Sequence, residues 1–109
     1  MFENLEVEVH AGVGNLWLNR PEKLNALSRE TLLELAEAAR WFNEQPEVRV
    51  VIVGGKGKAF SSGADLSGFP KANERGAREA ADTGRIMAEA IEGMNALTIA
   101  RIQGWCVGG

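Results

Sequence analysis

Two glycine-containing loops carry the residues best suited to chemistry in this chain. Residues 59–66 follow an apolar run at 48–53, and residues 104–109 follow an apolar run at 97–102. In parallel sheets, ligands bind at the carboxyl ends of the strands, where such loops meet. Glycine lets the backbone approach a ligand closely, and two backbone N–H groups aimed at one oxygen atom form an oxyanion hole. From spacing alone a purely structural alternative stays open, because glycine loops commonly do no more than turn the chain.

Nucleotide-binding motifs fail on their spacing. Residues 54–58 resemble a phosphate-binding loop, but Ile52 stands where that motif needs glycine and Ala59 where it needs serine or threonine. A dinucleotide-binding fingerprint that starts at Gly55 would need its third glycine at Phe60. Neither motif is therefore expected to operate here.

Nucleophilic and metal chemistry are excluded by residue type and number. Ser61 and Ser62 lie outside a G-x-S-x-G elbow. His10 is the only histidine and falls on a predicted strand, where a structural or surface role is expected instead of a place in a Ser-His-Asp triad. One histidine and one cysteine cannot build a Cys/His zinc site, so no metal is expected. Cys106 lacks a basic partner in the sequence and is expected to be a small buried side chain.

The hydrophobic pattern predicts an α/β fold in which strands and helices alternate. Residues 5–10 and 13–18 alternate between apolar and polar side chains, which predicts an antiparallel hairpin. The β-branched run at 48–53 is typical of a strand buried on both faces. Helices before and after this run, and a further apolar strand at 97–102, complete βαβ units with a partly parallel sheet.

Both predicted helices carry one apolar face. Ser28 is a suitable N-cap for the first helix, and Pro46 ends it. The apolar residues of this helix recur at helical spacing at Leu32, Leu35, Ala36, Ala39 and Phe42. The second helix, from about residue 75 to residue 94, has its stripe at Ile86, Met87, Ala90, Ile91 and Met94. Methionines and tryptophans such as Met87, Met94 and Trp41 are therefore expected in the core or an interface.

The final segment, residues 103–109, runs into glycines with no helix that would cover the preceding strand. A buried strand with one uncovered face would leave apolar surface exposed. We therefore expect either assembly with a partner or a longer protein of which this is the front part, and the second is favoured.

Composition and charge narrow the class of protein. A chain of 109 residues with 45% apolar and 25% charged residues fits one domain, residues 1–109. The net charge of −3 argues against nucleic acid as a partner. No apolar run reaches the length of a membrane span, and the acidic start does not fit a secretion signal. A single cysteine fits a reducing compartment, so a cytoplasmic location is expected.

Three stretches resemble motifs of one family. Residues 18–27 read LNRPEKLNAL, residues 58–66 read KAFSSGADL, and residues 99–109 read IARIQGWCVGG. In this order and spacing they resemble the N-terminal signature, the central A-F-S-x-G-A-D loop and the approach to the G-G-G turn of the crotonase superfamily, the enoyl-CoA hydratase/isomerase family. The resemblance covers the whole chain, and the chain covers less than half of the family's usual length. It implies a crotonase-like ββα spiral core, incomplete at the C-terminus.

The resemblance implies an acyl-CoA thioester as substrate, with coenzyme A as part of it and no separate cofactor. The backbone N–H groups of Ala64 and Gly109 would form the oxyanion hole that stabilises an enolate. Lys23, Leu24 and Ala26 would line the path of the CoA adenine and pantetheine. The thioester end would be bordered by Ser62, Asp65, Leu66, Trp105, Val107 and Gly108. Asp65 is expected to cap the short segment after it more than to act on substrate.

The family's hydratases use two glutamates that lie beyond the second oxyanion glycine, and no carboxylate of this chain takes their place. The expected function is therefore enoyl-CoA hydration by the longer protein, with a homotrimer or a hexamer as its assembly. The alternative is a non-catalytic CoA-thioester binding or interaction module, or an inactive remnant. A related fold with peptidase chemistry is disfavoured by the missing elbow and the single histidine.

Overall fold

The computed structural model describes residues 1–65, 67 and 74–109. Its four strands and two helices alternate along the chain after an initial hairpin. A single 3₁₀ turn, Pro21–Lys23, separates the hairpin from the first helix. The elements are β1 (Leu5–His10), β2 (Val13–Leu18), α1 (Arg29–Asn43), β3 (Val50–Gly55), α2 (Glu74–Glu92) and β4 (Leu97–Ala100).

The strands form one mixed sheet in the order β1-β2-β3-β4. β1 and β2 pair antiparallel, which confirms the predicted hairpin, and the turn between them places Ala11 and Gly12 at positive φ. β2 and β3 pair in parallel across α1, and β3 and β4 pair in parallel across α2. The predicted βαβ units are therefore confirmed, and they bring the ends of β3 and β4 to the same edge of the sheet.

The core lies between one face of the sheet and the two helices. α1 begins at the predicted N-cap, where the Ser28 side chain accepts a hydrogen bond from the Thr31 backbone N–H at 3.1 Å. Phe42, on the predicted apolar face of α1, is 2% exposed. Trp41, Met87 and Met94 pack against this core as partly buried side chains, as expected.

The prediction that β3 is buried on both faces is wrong. Val51 is completely buried on the helix side, but Val50 and Ile52 on the opposite side are only half-buried. Side chains of the strands and of residues just after them, such as Lys56 and Arg101, lie on this opposite face. Trp17, which pairs with Gly54 across the strands, lies there beneath the ammonium group of Lys56 at 4.6 Å from the ring centre.

β4 is shorter and more exposed than predicted. It ends at Ala100 instead of residue 102, and all four of its residues are exposed, Leu97 by 65%. It is the edge strand opposite β1, so it has a neighbour on one side only. Ile86 of the predicted α2 stripe is also 46% exposed, so this residue of the stripe does not lie in the core.

Candidate functional site

The loops that follow β3 and β4 lie against each other, as the parallel order of the strands predicts. The backbone N–H of Phe60 donates to the carbonyl oxygens of Gln103 at 2.9 Å and Trp105 at 3.0 Å. Ser61 N–H donates to the Trp105 carbonyl at 3.1 Å, and Val107 N–H donates to the Ser61 carbonyl at 3.1 Å. The second and third sequence motifs are thus joined by backbone hydrogen bonds.

Two glycines permit this close approach. Gly104 has φ +61°, and a Cβ atom there would clash with the carbonyl oxygen of Lys58. Gly63 has φ +100°, and a Cβ atom there would lie 2.8 Å from the carbonyl oxygen of Val107. Both positions need the left-handed backbone and the small volume that glycine alone provides.

The first motif lies on the other side of the second. The Ser62 backbone N–H donates to the Leu24 carbonyl at 3.0 Å. The Leu27 N–H donates to the Gly63 carbonyl at 2.8 Å, and the Asp65 N–H donates to the Leu27 carbonyl at 2.9 Å. These last two bonds make a parallel bridge between Leu27 and Ala64. All three motifs therefore meet at one place in the fold.

The parallel bridge determines the direction of one backbone donor. In such a bridge, the N–H of the central residue points away from the partner strand, so the Ala64 N–H points away from Leu27. Within the described residues this N–H has no hydrogen-bond acceptor, and the same holds for the N–H of Gly109. A Cβ atom on Gly108 would lie 3.9 Å from the Ala64 nitrogen, which shows how near residues 107–109 come.

An apolar cavity of about 110 Å³ adjoins these loops. Of the residues expected to contact substrate, Val107, Gly108 and Gly109 line it. Cys106 also lines it and is exposed, so the expectation that its thiol is buried is wrong. The remaining lining residues are Leu18, Leu27, Leu35, Val53, Phe60, Ser61, Met87 and Ile91.

The other expected contact residues that the structure describes do not line this cavity. Lys23 and Leu24 are exposed, and the Lys23 carbonyl accepts a long hydrogen bond from the Ser62 hydroxyl at 3.5 Å. Ala26 and Ser62 are half-buried beside them. The Trp105 side chain is 65% exposed. The expected contact at Leu66 lies outside the described residues.

Asp65 makes the local hydrogen bonds expected of a capping residue. Its carboxylate accepts from the Ser67 backbone N–H at 3.1 Å and from the Ser67 hydroxyl at 2.6 Å. The carboxylate also forms an ion pair with Arg20, with Oδ2 3.4 Å from Nη1. The hydrogen bonds from Ser67, and after them the contact with Arg20, lower the pKa of Asp65 below its ordinary value of 3.8. The side chain is thus committed to protein partners in the ionised form.

Asn25 is a residue of the site that the sequence patterns did not single out. It is 1% exposed and has φ +55°, next to Leu24 with φ +51°. Its amide nitrogen donates to the carbonyls of Lys56 and Ala59, each at 2.9 Å, and its amide oxygen accepts from the Arg20 backbone N–H at 2.8 Å. Asn25 thereby fastens the first motif to the second. The sequence signal that could have pointed to this residue is its type, because asparagine adopts the left-handed backbone conformation more readily than most other residues except glycine.

The described part of the chain offers neither a metal site nor a membrane-spanning helix. Within residues 1–65, 67 and 74–109, His, Cys, Asp and Glu side chains form no group of three that could hold a metal ion. No helix in these ranges has both the length and the apolar character needed to cross a membrane.

Comparison with known proteins identifies the family. The family model described as Enoyl-CoA hydratase/isomerase matches residues 8–109. Crotonyl-CoA hydratase of Syntrophomonas wolfei is 35% identical over 109 residues, which cover 99% of this chain and 42% of that protein. The peroxisomal Delta(3,5)-Delta(2,4)-dienoyl-CoA isomerase of Arabidopsis thaliana is 32% identical, with 99% of this chain and 44% of that protein covered.

Solved structures give the same result for the fold. The crystal structure of an enoyl-CoA hydratase/carnithine racemase from Magnetospirillum magneticum matches with a TM-score of 0.92 and 30% identity, covering 99% of this chain and 42% of that one. The chain thus has the fold of the N-terminal part of the crotonase domain and spans about 42% of the length of such relatives. The chain belongs to the enoyl-CoA hydratase/isomerase family of the crotonase superfamily.

Proposed function

We propose that this chain provides the thioester-binding part of an enoyl-CoA hydratase, with the backbone N–H groups of Ala64 and Gly109 as the oxyanion hole. The observation that carries the proposal is the Ala64 N–H, which the parallel bridge directs away from Leu27 and leaves without an acceptor among the described residues. Gly109, the second donor, lines the adjoining apolar cavity.

The two donors would act on the thioester carbonyl. Its oxygen accepts both hydrogen bonds, and negative charge grows on it as the enolate forms. Donors held in place before the reaction stabilise this charge without reorganising, and each contributes about 2.7–4 kcal/mol to transition-state stabilisation. At residue 109 the functional group is the backbone N–H, so no side chain is needed there.

The surroundings fit the two ends of such a substrate. The apolar walls of the cavity, including Val53, Met87 and Val107, suit a short acyl segment. Exposed Lys23 and Leu24, with Ala26 behind them, form the rim on which the coenzyme A portion would lie, and the ammonium group suits its phosphates. Coenzyme A is thus bound as part of the substrate and no separate cofactor is proposed.

Water addition requires an acid and a base. The described cavity wall contains no carboxylate, histidine or lysine. We therefore assign proton transfer to the two glutamates that the family resemblance places after the second oxyanion glycine. For the whole protein we propose a cytoplasmic enzyme that assembles as a homotrimer or a hexamer.

A matched pair of variants at residue 109 tests the oxyanion hole. Gly109→Pro removes the N–H, whereas Gly109→Ala keeps it and places a Cβ atom at an ordinary contact distance of 3.6 Å from Leu27 Cδ1. The readout is the carbonyl stretching frequency of crotonyl-CoA labelled with ¹³C at the thioester carbonyl. On the unaltered protein and on Gly109→Ala, binding is expected to lower this frequency, because hydrogen bonds polarise the carbonyl. On Gly109→Pro the shift should shrink, and turnover should fall about 100- to 1,000-fold.

The same measurement can also contradict the oxyanion-hole proposal. If bound crotonyl-CoA keeps its solution frequency on the unaltered protein, the oxyanion-hole proposal is wrong. A thioether analogue, which has the chain and the coenzyme A but no carbonyl, should bind more weakly than the thioester to the unaltered protein. Equal binding of the two would also contradict the proposal.

A non-catalytic CoA-thioester binding module is the second candidate. It is favoured by the cavity wall, whose described residues offer no acid or base other than the thiol of Cys106. Binding of crotonyl-CoA with a shifted carbonyl frequency but without formation of 3-hydroxybutyryl-CoA would establish this function in place of the enzyme.

A further inference from the structure

Residues 24–27, called the template here, hold the second motif in place through hydrogen bonds to their backbone carbonyl groups. Each of the four successive carbonyl groups accepts a hydrogen bond. The Leu24 and Leu27 carbonyls accept from backbone N–H groups of the second motif, and the Asn25 carbonyl accepts from the Ser61 hydroxyl at 2.9 Å. The Ala26 carbonyl accepts from the Ser28 backbone N–H at 3.2 Å and, alone of the four, from a charged side chain, at 2.7 Å from Nη1 of Arg20.

The template determines where the Ala64 N–H points. The peptide bond between Gly63 and Ala64 is trans, so its carbonyl and its N–H point in opposite directions. The Gly63 carbonyl is held by the Leu27 N–H at 2.8 Å. A rotation of the template at Leu27 would therefore rotate the Ala64 N–H by a similar angle.

Arg20 contacts both sides of this bridge. Its guanidinium group donates to the Ala26 carbonyl, one residue before Leu27, and lies 3.4 Å from the carboxylate of Asp65, one residue after Ala64. The side chains of Arg20 and Asp65 are 17% and 19% exposed, so the contact is largely shielded from solvent. A planar guanidinium group has several donors in fixed directions and can hold two acceptors at a constant separation.

We propose that Arg20 is a positioning residue, which acts through Ala26 and Asp65 to hold the Ala64 N–H in the direction that the thioester carbonyl needs. The inference rests on the proposed oxyanion hole. In this scheme the Arg20 side chain contacts the Ala26 carbonyl and the Asp65 carboxylate and does not contact the substrate.

The central variants are Arg20→Gln, Arg20→Lys and Asp65→Asn. Arg20→Gln should lower kcat about 10- to 100-fold, as expected when a reacting group is displaced slightly, while KM stays within about threefold. Arg20→Lys should recover only part of kcat, because an ammonium group keeps the charge but has one nitrogen in place of the two that face Asp65 in fixed directions. The bound carbonyl frequency of labelled crotonyl-CoA should follow kcat, moving toward its solution value in Arg20→Gln.

Asp65→Asn keeps the hydrogen bonds from Ser67 within reach while removing the charge that faces Arg20, so it tests the pair with little risk to folding. Its kcat should fall less than that of Arg20→Gln, and the double variant should be no worse than Arg20→Gln alone, because the two residues act as one unit. Arg85→Gln on α2 is the matched control: it removes an exposed arginine that pairs with Asp82, and kcat should be unchanged.

The outcomes separate this inference from the function on which it rests. A carbonyl shift on the unaltered protein that persists in Arg20→Gln, or a rise in KM with unchanged kcat, would overturn the role of Arg20 and leave the oxyanion hole intact. Independent, multiplicative effects of Arg20→Gln and Asp65→Asn would likewise overturn it. The lack of any shift on the unaltered protein would remove the proposed function and this inference together.

Discussion

Replacement of Asn25 is the most informative test of how the site is held together. Its buried side chain makes three hydrogen bonds, to Lys56, Ala59 and Arg20. Ala59 is 1% exposed, so its carbonyl would lose a donor that water cannot easily replace, at about 1–3 kcal/mol. Lys56 and Arg20 are half-buried, and each of their hydrogen bonds is worth about 0.5–1.5 kcal/mol. Asn25→Gly should therefore destabilise the protein by about 2–6 kcal/mol.

The backbone of Asn25 adds a second, separable effect. At φ +55° an alanine is strained by about 1–2 kcal/mol, whereas glycine is not. The greater freedom of glycine in the unfolded chain offsets about 0.4–1 kcal/mol of that difference. Asn25→Ala should consequently be less stable than Asn25→Gly by about 0.5–1 kcal/mol.

Urea unfolding of the purified protein measures both quantities. Asn15→Ala is the control, because Asn15 lies half-buried on the open face of β2, and it should change the free energy of unfolding by less than about 0.5 kcal/mol. A loss below about 1 kcal/mol in Asn25→Gly would refute the hydrogen-bond account. Equal stability of Asn25→Ala and Asn25→Gly would refute the account of the left-handed backbone.

Two further predictions concern the same loops. Gly104→Ala should destabilise the protein by about 3 kcal/mol or more in urea unfolding, because its Cβ would meet the Lys58 carbonyl at φ +61°. Gly84→Ala, in α2 with nothing within 4 Å, should instead stabilise by about 0.5–1 kcal/mol, and a reversed order of the two would contradict the contact. Because the fold lowers the pKa of Asp65, its contribution to stability is complete above its ordinary value of 3.8 and is lost as pH falls through the lower folded value. The urea midpoint should therefore fall more steeply below pH 4 in the unaltered protein than in Asp65→Asn, and identical acid profiles would exclude this role.

The parts of the fold that depend on local patterns were predictable. The alternation at residues 5–10 and 13–18 reports which face of each strand is buried, and the spacing of Leu32, Leu35 and Phe42 reports the buried side of α1. The meeting of the two glycine loops followed from the parallel order of the strands. The burial of β4 could not be obtained in this way, because exposure depends on what packs against a strand and not on its own residues.

Arg20 and Asn25, which support the site, could not be predicted from the sequence for a different reason. Arg20 and Asn25 bind mostly to backbone carbonyl groups. Because every residue has a backbone carbonyl, such partners cannot be recognised from residue type. Their partners lie as far as 45 residues away along the chain. Patterns with periods of two or 3.6 residues report faces of elements, so they do not register contacts of this range.

The bridge between Leu27 and Ala64 also bears on how the protein folds and opens. It joins segments that are far apart in sequence, as does the bond from the Ser61 hydroxyl to the Asn25 carbonyl, which spans 36 residues. Closing such long loops costs conformational entropy before these contacts can contribute any stability. The Ala64 N–H consequently acquires its direction late in folding, from its contact with the distant Leu27 backbone and not from its own loop. By the same reasoning, the Leu27 amide should exchange its hydrogen with solvent only when these two distant segments separate, so the direction of the Ala64 N–H persists as long as their contact does.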